Sequence, residues 1–494
     1  MKKKILLICK ENTSLSFYNS LEKLSQDFII DVLFFMPHED EKTYHRKIFK
    51  DNKYINKIYS TNSLIEKYFL LKKKEIKPNI LNLKNLEKSF KDFKNIRMQL
   101  NASQKFSTYF HDRDIYKDTD NNDQLIVYEI YYEEILKVIN ESSPEYIFDN
   151  DLGELRTIIY ELSRQKNIPY ITVALSYYKE FCIPNLNQSS EPDDWLIKKV
   201  ENNTVSDNKD FQILSEFTYA YVEDHNKHFS LRPYVFLREF YYFIKSFIKL
   251  SYPTPFGAKH LARNLLNFKI LFNKIIIKFF LSFNKNIDIK NEKFIIFPLH
   301  VSPEGSTFTI SPLFLNETFI IELISNCLPV DFKLVLKEHP GMIGQRALNF
   351  YKKIQKLPNV IFLHPFSKYK INELIENSSA VVTISGTSGM EALMLNRPAI
   401  VFAKTFYSFL DGCYVFKDIT KFKLDLDNIL NEKNLLSKDK LVKYISTVKR
   451  YGKHINLTII NSINKFPKEI VNKNVDNFIE VLKTGIRLSE TKSK

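Results

Sequence analysis

The chain has 494 residues, 44% hydrophobic and 26% charged, an ordinary globular composition that excludes disordered, collagen-like and coiled-coil classes. Its four cysteines (Cys9, Cys182, Cys327, Cys413) stand far apart without CxxC spacing, which argues against a disulfide framework or zinc finger and for a reducing, cytoplasmic compartment. Net charge is +15, but residues 227–290 hold twelve Lys/Arg against Glu239 and Asp288, a local +10 that leaves +5 elsewhere; such a confined patch argues against nucleic acid as partner.

The N-terminus, MKKKILLICKENTS, is basic but lacks a full apolar region and a small-residue cleavage site, so it reads as a first β-strand. No stretch reaches the ~18 apolar residues of a membrane span. Segments 4–9 (KILLIC) and 29–35 (IIDVLFF) read as buried parallel strands with a helix between them. Residues 40–140 are polar and helix-like, without a site signature. A strand over 146–149, a helix over 153–166 and a strand over 169–174 then form one βαβ unit, which predicts an open α/β domain over 1–175.

Residues 176–290 interrupt that pattern and predict a helical, basic-aromatic connection. Within it, 261–285 place Arg263, Asn267, Lys274, Lys278 and Lys285 on one stripe at helical spacing, with a broad apolar face opposite. Two readings stay open: a helix buried between domains with its lysine heads in water, or a helix lying on an anionic membrane surface. A second α/β domain is expected over 291–424, with strands at 294–299, 332–336, 360–363, 380–384 and 398–402 and helices between them. Residues 425–494 are expected to be helices closing that domain.

Only ten residues are glycine, and six of them lie between 305 and 412. Glycine serves positive φ or close backbone approach, which directs attention to three strand ends in this segment. The strand AVVTI opens into Ser385-Gly386-Thr387-Ser388-Gly389, with a helix expected from Met390 to Leu395. Small residues, hydroxyls and free helix amides at a parallel strand's carboxyl end suit an anion or phosphate. The loop is neither a Walker A sequence nor a GxGxxG fingerprint. Glu391, in the first helical turn, either favours the helix dipole or accepts from sugar or ribose hydroxyls. Lys337-Glu338-His339-Pro340-Gly341 follows another strand, where His339 is suited to donate to a phosphate or protonate a leaving oxygen. Pro298 through Ser306 follows the domain's first strand and supplies His300 and Glu304.

Taken in order and spacing, PLHVSPEGS, LVLKEHPG, the HPFS of 364–367 and VVTISGTSGMEALMLNRPAIVF resemble the bacterial capsule polysaccharide biosynthesis family, GT-B glycosyltransferases related to Kdo- and sialic-acid-transferring enzymes. The resemblance covers about 290–412, is only architectural over 1–175, and is absent over 177–290. It implies two Rossmann-like domains facing across a cleft, the C-terminal one holding a nucleotide sugar, assigned here as CMP-linked, as substrate rather than cofactor. It implies that His339, Ser385, Thr387 and Ser388 bind the donor phosphate and that His300 and Glu304 lie at the cleft floor. In related sialyltransferases the catalytic base is an N-domain carboxylate in an acidic-Gly motif; the nearest candidate here is Asp149 or Asp151 in Asp149-Asn150-Asp151-Leu152-Gly153, which departs from the adjacent acidic pair. Several DxD strings occur, none beside the serine loop, and such enzymes stabilise the leaving phosphate with fixed donors rather than a metal; no metal is expected. The expected activity is sugar transfer to a glycan or lipid-linked acceptor at the inner face of the cytoplasmic membrane. The alternatives are a CDP-polyol phosphotransferase of the teichoic-acid type and a non-catalytic GT-B module that binds glycan or scaffolds an assembly complex.

Overall fold

The computed structural model describes residues 2–9, 14–34, 48–60, 67, 74–90, 95–102, 120–149, 156–187, 191–204, 237–238, 240–241, 244–245, 257–279, 283, 287–302, 307, 310–365, 367, 369–431, 438–462 and 464–492. They fall into two compact units, the first within 1–103, 119–217 and 442–494, the second within 218–441.

The first unit is built on β1 (Lys3–Cys9), β2 (Phe28–Phe34), β3 (Lys57–Ser60), β4 (Tyr146–Asp149), β5 (Tyr170–Leu175) and β6 (Phe181–Asn185). The first five run parallel, with β6 antiparallel to β5. The second unit carries β7 (Lys293–Pro298), β8 (Phe332–Lys337), β9 (Val360–Phe362), β10 (Ala380–Thr383), β11 (Ala399–Val401) and β12 (Cys413–Val415), all parallel. The edge of the first sheet is completed by β13 (Lys453–His454), antiparallel to β6. The second sheet runs β12-β11-β10-β7-β8-β9 and the first β13-β6-β5-β4-β1-β2-β3. In both, the unit's first strand lies beside its fourth, the doubly wound order with a crevice at the carboxyl ends of that central pair. The α/β class, GT-B-like in holding two Rossmann-like units, is as the sequence predicted.

The core strands of both sheets read as continuous apolar runs because both faces are covered. Ile5 through Cys9 are all fully buried, as are Phe294 through Phe297.

The partition differs from the expected boundaries. Residues 442–494 belong to the first unit, not the second. Val475, Phe478 and Leu482 of the helix Lys468–Lys492 join the core formed by Ile5, Leu7 and Phe17, and Phe17 meets Phe478 edge to face at 5.7 Å. A Cβ on Gly485 would come within 2.5 Å of Ile171 Cγ2, so the helix lies close on β5. Residues 181–185 and 194–201, expected in the connection, are a strand and a helix of the first unit.

The basic helix Gly257–Phe279 belongs to the second unit. Ile277 enters that unit's core, and buried Asn273 donates through Nδ2 to the Gly344 carbonyl at 3.1 Å. Gly344 has φ +86°, and an added Cβ would meet Ile270 O at 2.5 Å and the Lys274 stem at 2.7 Å. Lys274 thus covers the second unit with its methylenes. The apolar face is only partly covered, since Phe272 and Phe279 are exposed. The side chains of Arg263 and Asn267, and Lys285 altogether, lie outside the described residues. No described helix is long and apolar enough to cross a membrane.

Candidate active site

β7 and β10 are neighbours in register, Ile295 beside Ala380 and Ile296 beside Val381, and β8 flanks β7 with Lys337 opposite Pro298. The loops after β7, β8 and β10 therefore leave one edge of the sheet at its central crevice. These are the three loops singled out in the sequence.

Behind them lies a buried polar cluster. Arg346 is 8% exposed. Its Nε donates to both Glu338 oxygens (3.1 and 2.9 Å), one terminal nitrogen pairs with Glu317, and the other donates to the His300 carbonyl at 2.6 Å. Glu317 also accepts from the His300 backbone N–H at 2.7 Å. Glu338 accepts from Tyr351 Oη at 2.8 Å and from the His339 N–H at 2.8 Å. A single guanidinium serves two carboxylates, a task for its planar five-donor fork. Burial opposes ionisation of Glu317, but Arg346 and His300 outweigh it and hold the carboxyl down at about 2. Glu338 goes the other way: burial, reinforced by the Glu317 charge, raises it despite Arg346.

His300 faces this cluster and the serine loop at once. The Ile384 N–H donates to its Nε2 (3.3 Å), and Nε2 stands 2.8 Å from Thr383 Oγ1. The same Oγ1 accepts from the Gly386 N–H at 2.9 Å. An imidazole nitrogen that accepts from a backbone amide carries no proton, so the proton belongs on Nδ1. That nitrogen lies 3.4 Å from Glu317 Oε1, an electrostatic contact rather than a full hydrogen bond. His300 spends Nε2 on the protein itself, and Glu338 likewise faces Arg346; in this structure the polar partners of both are internal.

The loop's two glycines also meet the protein's own side chains. A Cβ on Gly386 would stand 2.7 Å from Thr383 Oγ1 and 3.1 Å from His300 Nε2. A Cβ on Gly389 would overlap Tyr407, reaching Cζ at 2.7 Å, and Tyr407, fully buried, donates its hydroxyl to the Gly386 carbonyl at 2.6 Å. Both glycines permit close packing inside the loop's support.

The helix after the loop is Ser388–Met394, with Thr387 as its cap. Thr387 Oγ1 donates to Glu391 at 3.2 Å and Ser385 Oγ to Thr307 Oγ1 at 3.4 Å. Burial raises the Glu391 carboxyl, partly offset by the Thr387 bond. His339 Nδ1 accepts from the Gly341 N–H at 3.0 Å, which makes the neutral ring a donor at Nε2. Lys337 Nζ lies 3.4 Å from Ser367 Oγ, and burial lowers its affinity for the proton.

At the matching crevice of the first unit, Asp149 ends β4, fully buried, and accepts from Tyr170 Oη at 2.6 Å. Asp151 and Glu304 lie outside the described residues. Among the described residues, no group of three or more His, Cys, Asp or Glu side chains is arranged to hold a metal ion. Sequence reasoning missed Glu317, Arg346, Thr383 and Tyr407, which lie outside the motifs' candidate positions; the polar Thr383 within an otherwise apolar strand was the one local signal.

The fold is that of an α/β protein with a crevice at a doubly wound sheet's central strand ends. Residues 282–414, which contain all three loops, match the family described as capsule polysaccharide biosynthesis protein, so the resemblance drawn from the motifs is borne out over this segment. Comparison with curated proteins returned no match. Among solved structures, the chain is similar to the beta Kdo 2,7 transferase KpsC of Thermosulfurimonas dismutans, at 10% identity over 70% of this chain and 89% of that one, TM-score 0.32. It is also similar to the UDP-GlcNAc 2-epimerase of Neisseria meningitidis bound to UDP-GlcNAc (11% identity, 96% and 100% covered, TM-score 0.28). A third is the Methanocaldococcus jannaschii UDP-GlcNAc 2-epimerase in complex with UDP-GlcNAc and UDP (14%, 92% and 100%, 0.27). Likeness at that level assigns no activity.

Proposed function

We propose that the chain is a glycosyltransferase of bacterial surface polysaccharide assembly that takes a nucleotide-activated sugar, CMP-linked in our reading, and passes the sugar to a glycan or lipid-linked acceptor. The observation that supports it is the convergence of the loops after β7, β8 and β10 on one crevice, within the segment that matches the capsule family. In this reading the donor's phosphate lies against the 385–388 loop, His339 and Lys337, and Glu391 accepts from ribose hydroxyls. A general base takes the proton of the acceptor hydroxyl as its oxygen bonds to the anomeric carbon, the role expected of Asp149 or Asp151. The anomeric C–O bond to phosphate breaks, and the electron pair leaves on the nucleotide phosphate. Charge building there is met by His339 Nε2–H, the Lys337 ammonium and loop donors, without a required metal.

Calorimetric titration with CMP, UDP, GDP and CDP tests the site. Wild-type protein is expected to bind one of them, and His339→Ala and Ser388→Ala are each expected to weaken it about tenfold or more, as loss of a charge-assisted hydrogen bond does. Unchanged binding in both variants sinks the assignment. A product containing a phosphodiester, rather than a glycosidic bond, favours the polyol-phosphate alternative; binding without turnover favours the non-catalytic module.

The same reading puts the enzyme on the anionic inner face of the membrane. Leu237, Phe240, Tyr241 and Ile244 are exposed at helical spacing, as are Phe272 and Phe279 of the basic helix. Exposed aromatic and aliphatic groups interleaved with lysine suit an anionic lipid surface. Flotation with vesicles containing about a third phosphatidylglycerol is expected to carry the wild-type chain, and Phe272→Glu/Phe279→Glu is expected to lower the floated fraction severalfold. Equal flotation of the two proteins, or none of either, removes the membrane assignment.

A further inference from the structure

The serine loop is held from behind by a buried series of polar contacts. The Gly386 N–H donates to Thr383 Oγ1. With that oxygen accepting, the Thr383 hydrogen is available to His300 Nε2, 2.8 Å away, which also accepts from the Ile384 N–H. His300 Nδ1–H faces the Glu317 carboxylate, itself paired with Arg346, which pairs in turn with Glu338, and Glu338 accepts the His339 N–H. A buried chain of polar groups therefore joins the 384–386 turn to the loop bearing His339. Thr383 is fully buried and sits where this chain meets the turn. A hydroxyl is required there, since the position must accept from one side and donate to the other, and hydrogen bonds in series polarise each other.

We propose that Thr383 is a positioning residue: through its hydroxyl and the His300 ring behind it, it fixes the Ile384–Gly386 turn in the form that receives a ligand phosphate, and ties that turn to the His339 loop. It touches no ligand itself. The inference rests on the phosphate-site reading above.

The test compares wild type, Thr383→Val and Thr383→Ser as full-length protein. Valine keeps the shape and removes both hydrogen bonds; serine restores them. CMP, UDP, GDP and CDP are titrated into each by calorimetry, and the melting temperature of each is recorded. For whichever nucleotide binds wild type, Thr383→Val is expected to weaken binding at least tenfold and Thr383→Ser by less than threefold. Failure of wild type to bind any of the four sinks the phosphate-site reading itself. Binding by wild type with Thr383→Val unchanged, or with valine and serine equally impaired, overturns the positioning role while leaving the site. A second measurement needs no variant of Thr383: histidine ring-nitrogen NMR of the wild-type protein, with the His300 signal assigned by its loss in His300→Asn. The proposal expects an unprotonated Nε2 and a protonated Nδ1, and a protonated Nε2 at neutral pH overturns it.

Discussion

Replacing Arg346 by methionine is expected to remove about 3–5 kcal/mol of stability from the second unit, the usual cost of stripping the partner from a buried charge. The residue pairs with Glu317 and Glu338, 4% and 2% exposed, and holds the His300 carbonyl. Methionine fills the volume but leaves two buried carboxylates without their shared counter-charge. Lysine is not expected to rescue, because one ammonium has neither the reach nor the planar fork to serve three acceptors. Urea unfolding followed by far-UV circular dichroism is the suitable measurement; Trp195, the chain's single tryptophan, lies in the first unit and reports on that instead. An unchanged transition contradicts the assigned role.

The pH dependence gives the prediction a second face. Wild-type Glu317 is held at about 2, below the ordinary carboxyl value of 4.5. Its contribution to stability is therefore fully present above about 4.5 and is lost as pH falls from there toward about 2. Without Arg346 the main opposition to burial is gone, and both folded-state carboxyls are expected to rise above their unfolded values. That variant then gains stability as pH falls toward the unfolded carboxyl range, so the gap between wild type and Arg346→Met is expected to narrow between about pH 7 and about pH 4.5. A gap that widens over this range contradicts the account.

Tyr407→Ala is expected to cost about 3–5 kcal/mol, the range for emptying a buried aromatic site. The ring is fully buried, packs over the Cα of Gly389 and stands edge-on to Phe406 at 4.9 Å. Tyr407→Phe keeps the ring and loses only the bond to the Gly386 carbonyl, for about 0.5–1.5 kcal/mol. Gly389→Ala attacks the same contact from the other side by pushing a methyl to within 2.7 Å of Cζ, and overpacking of this kind costs about 1–3 kcal/mol. Melting curves of the three variants check the order of damage, with Tyr407→Ala the most harmful, Gly389→Ala next and Tyr407→Phe the mildest. Tolerance of Gly389→Ala with weakened nucleotide binding instead restores the reading in which that glycine makes room for a ligand.

How much of the site was legible depends on how each residue is used. The serine loop, His339 and Lys337 stand at strand ends that composition and spacing locate, because a buried parallel strand is apolar and its carboxyl-end loop is polar and turn-forming. Glu317, Arg346 and Tyr407 carry no such mark. A Glu at a helix start, an Arg in a loop and a Tyr among aromatics are common residues. What distinguishes these three is burial against partners far off in the chain, 29 positions in the case of Glu317 and Arg346. His300 shows the limit from the other side: its motif marked it as part of the crevice, but the tautomer and partners that turn it toward the protein exist only after β7 and β10 pair.

Local apolar runs and their punctuation were enough to establish the α/β class, the strand of 146–149 to the residue, most strands of the second sheet and the three loops that face its crevice. Packing settled the rest. Which sheet the last helix covers had to wait for it, because an amphipathic face specifies that it must be buried but not against what. The same holds for Gly386 and Gly389, whose small polar neighbours suggested a ligand loop but which pack against His300, Thr383 and Tyr407. The clustering of glycine drew attention to this segment; close approach of the chain to its own side chains is a physical reason glycine is needed there.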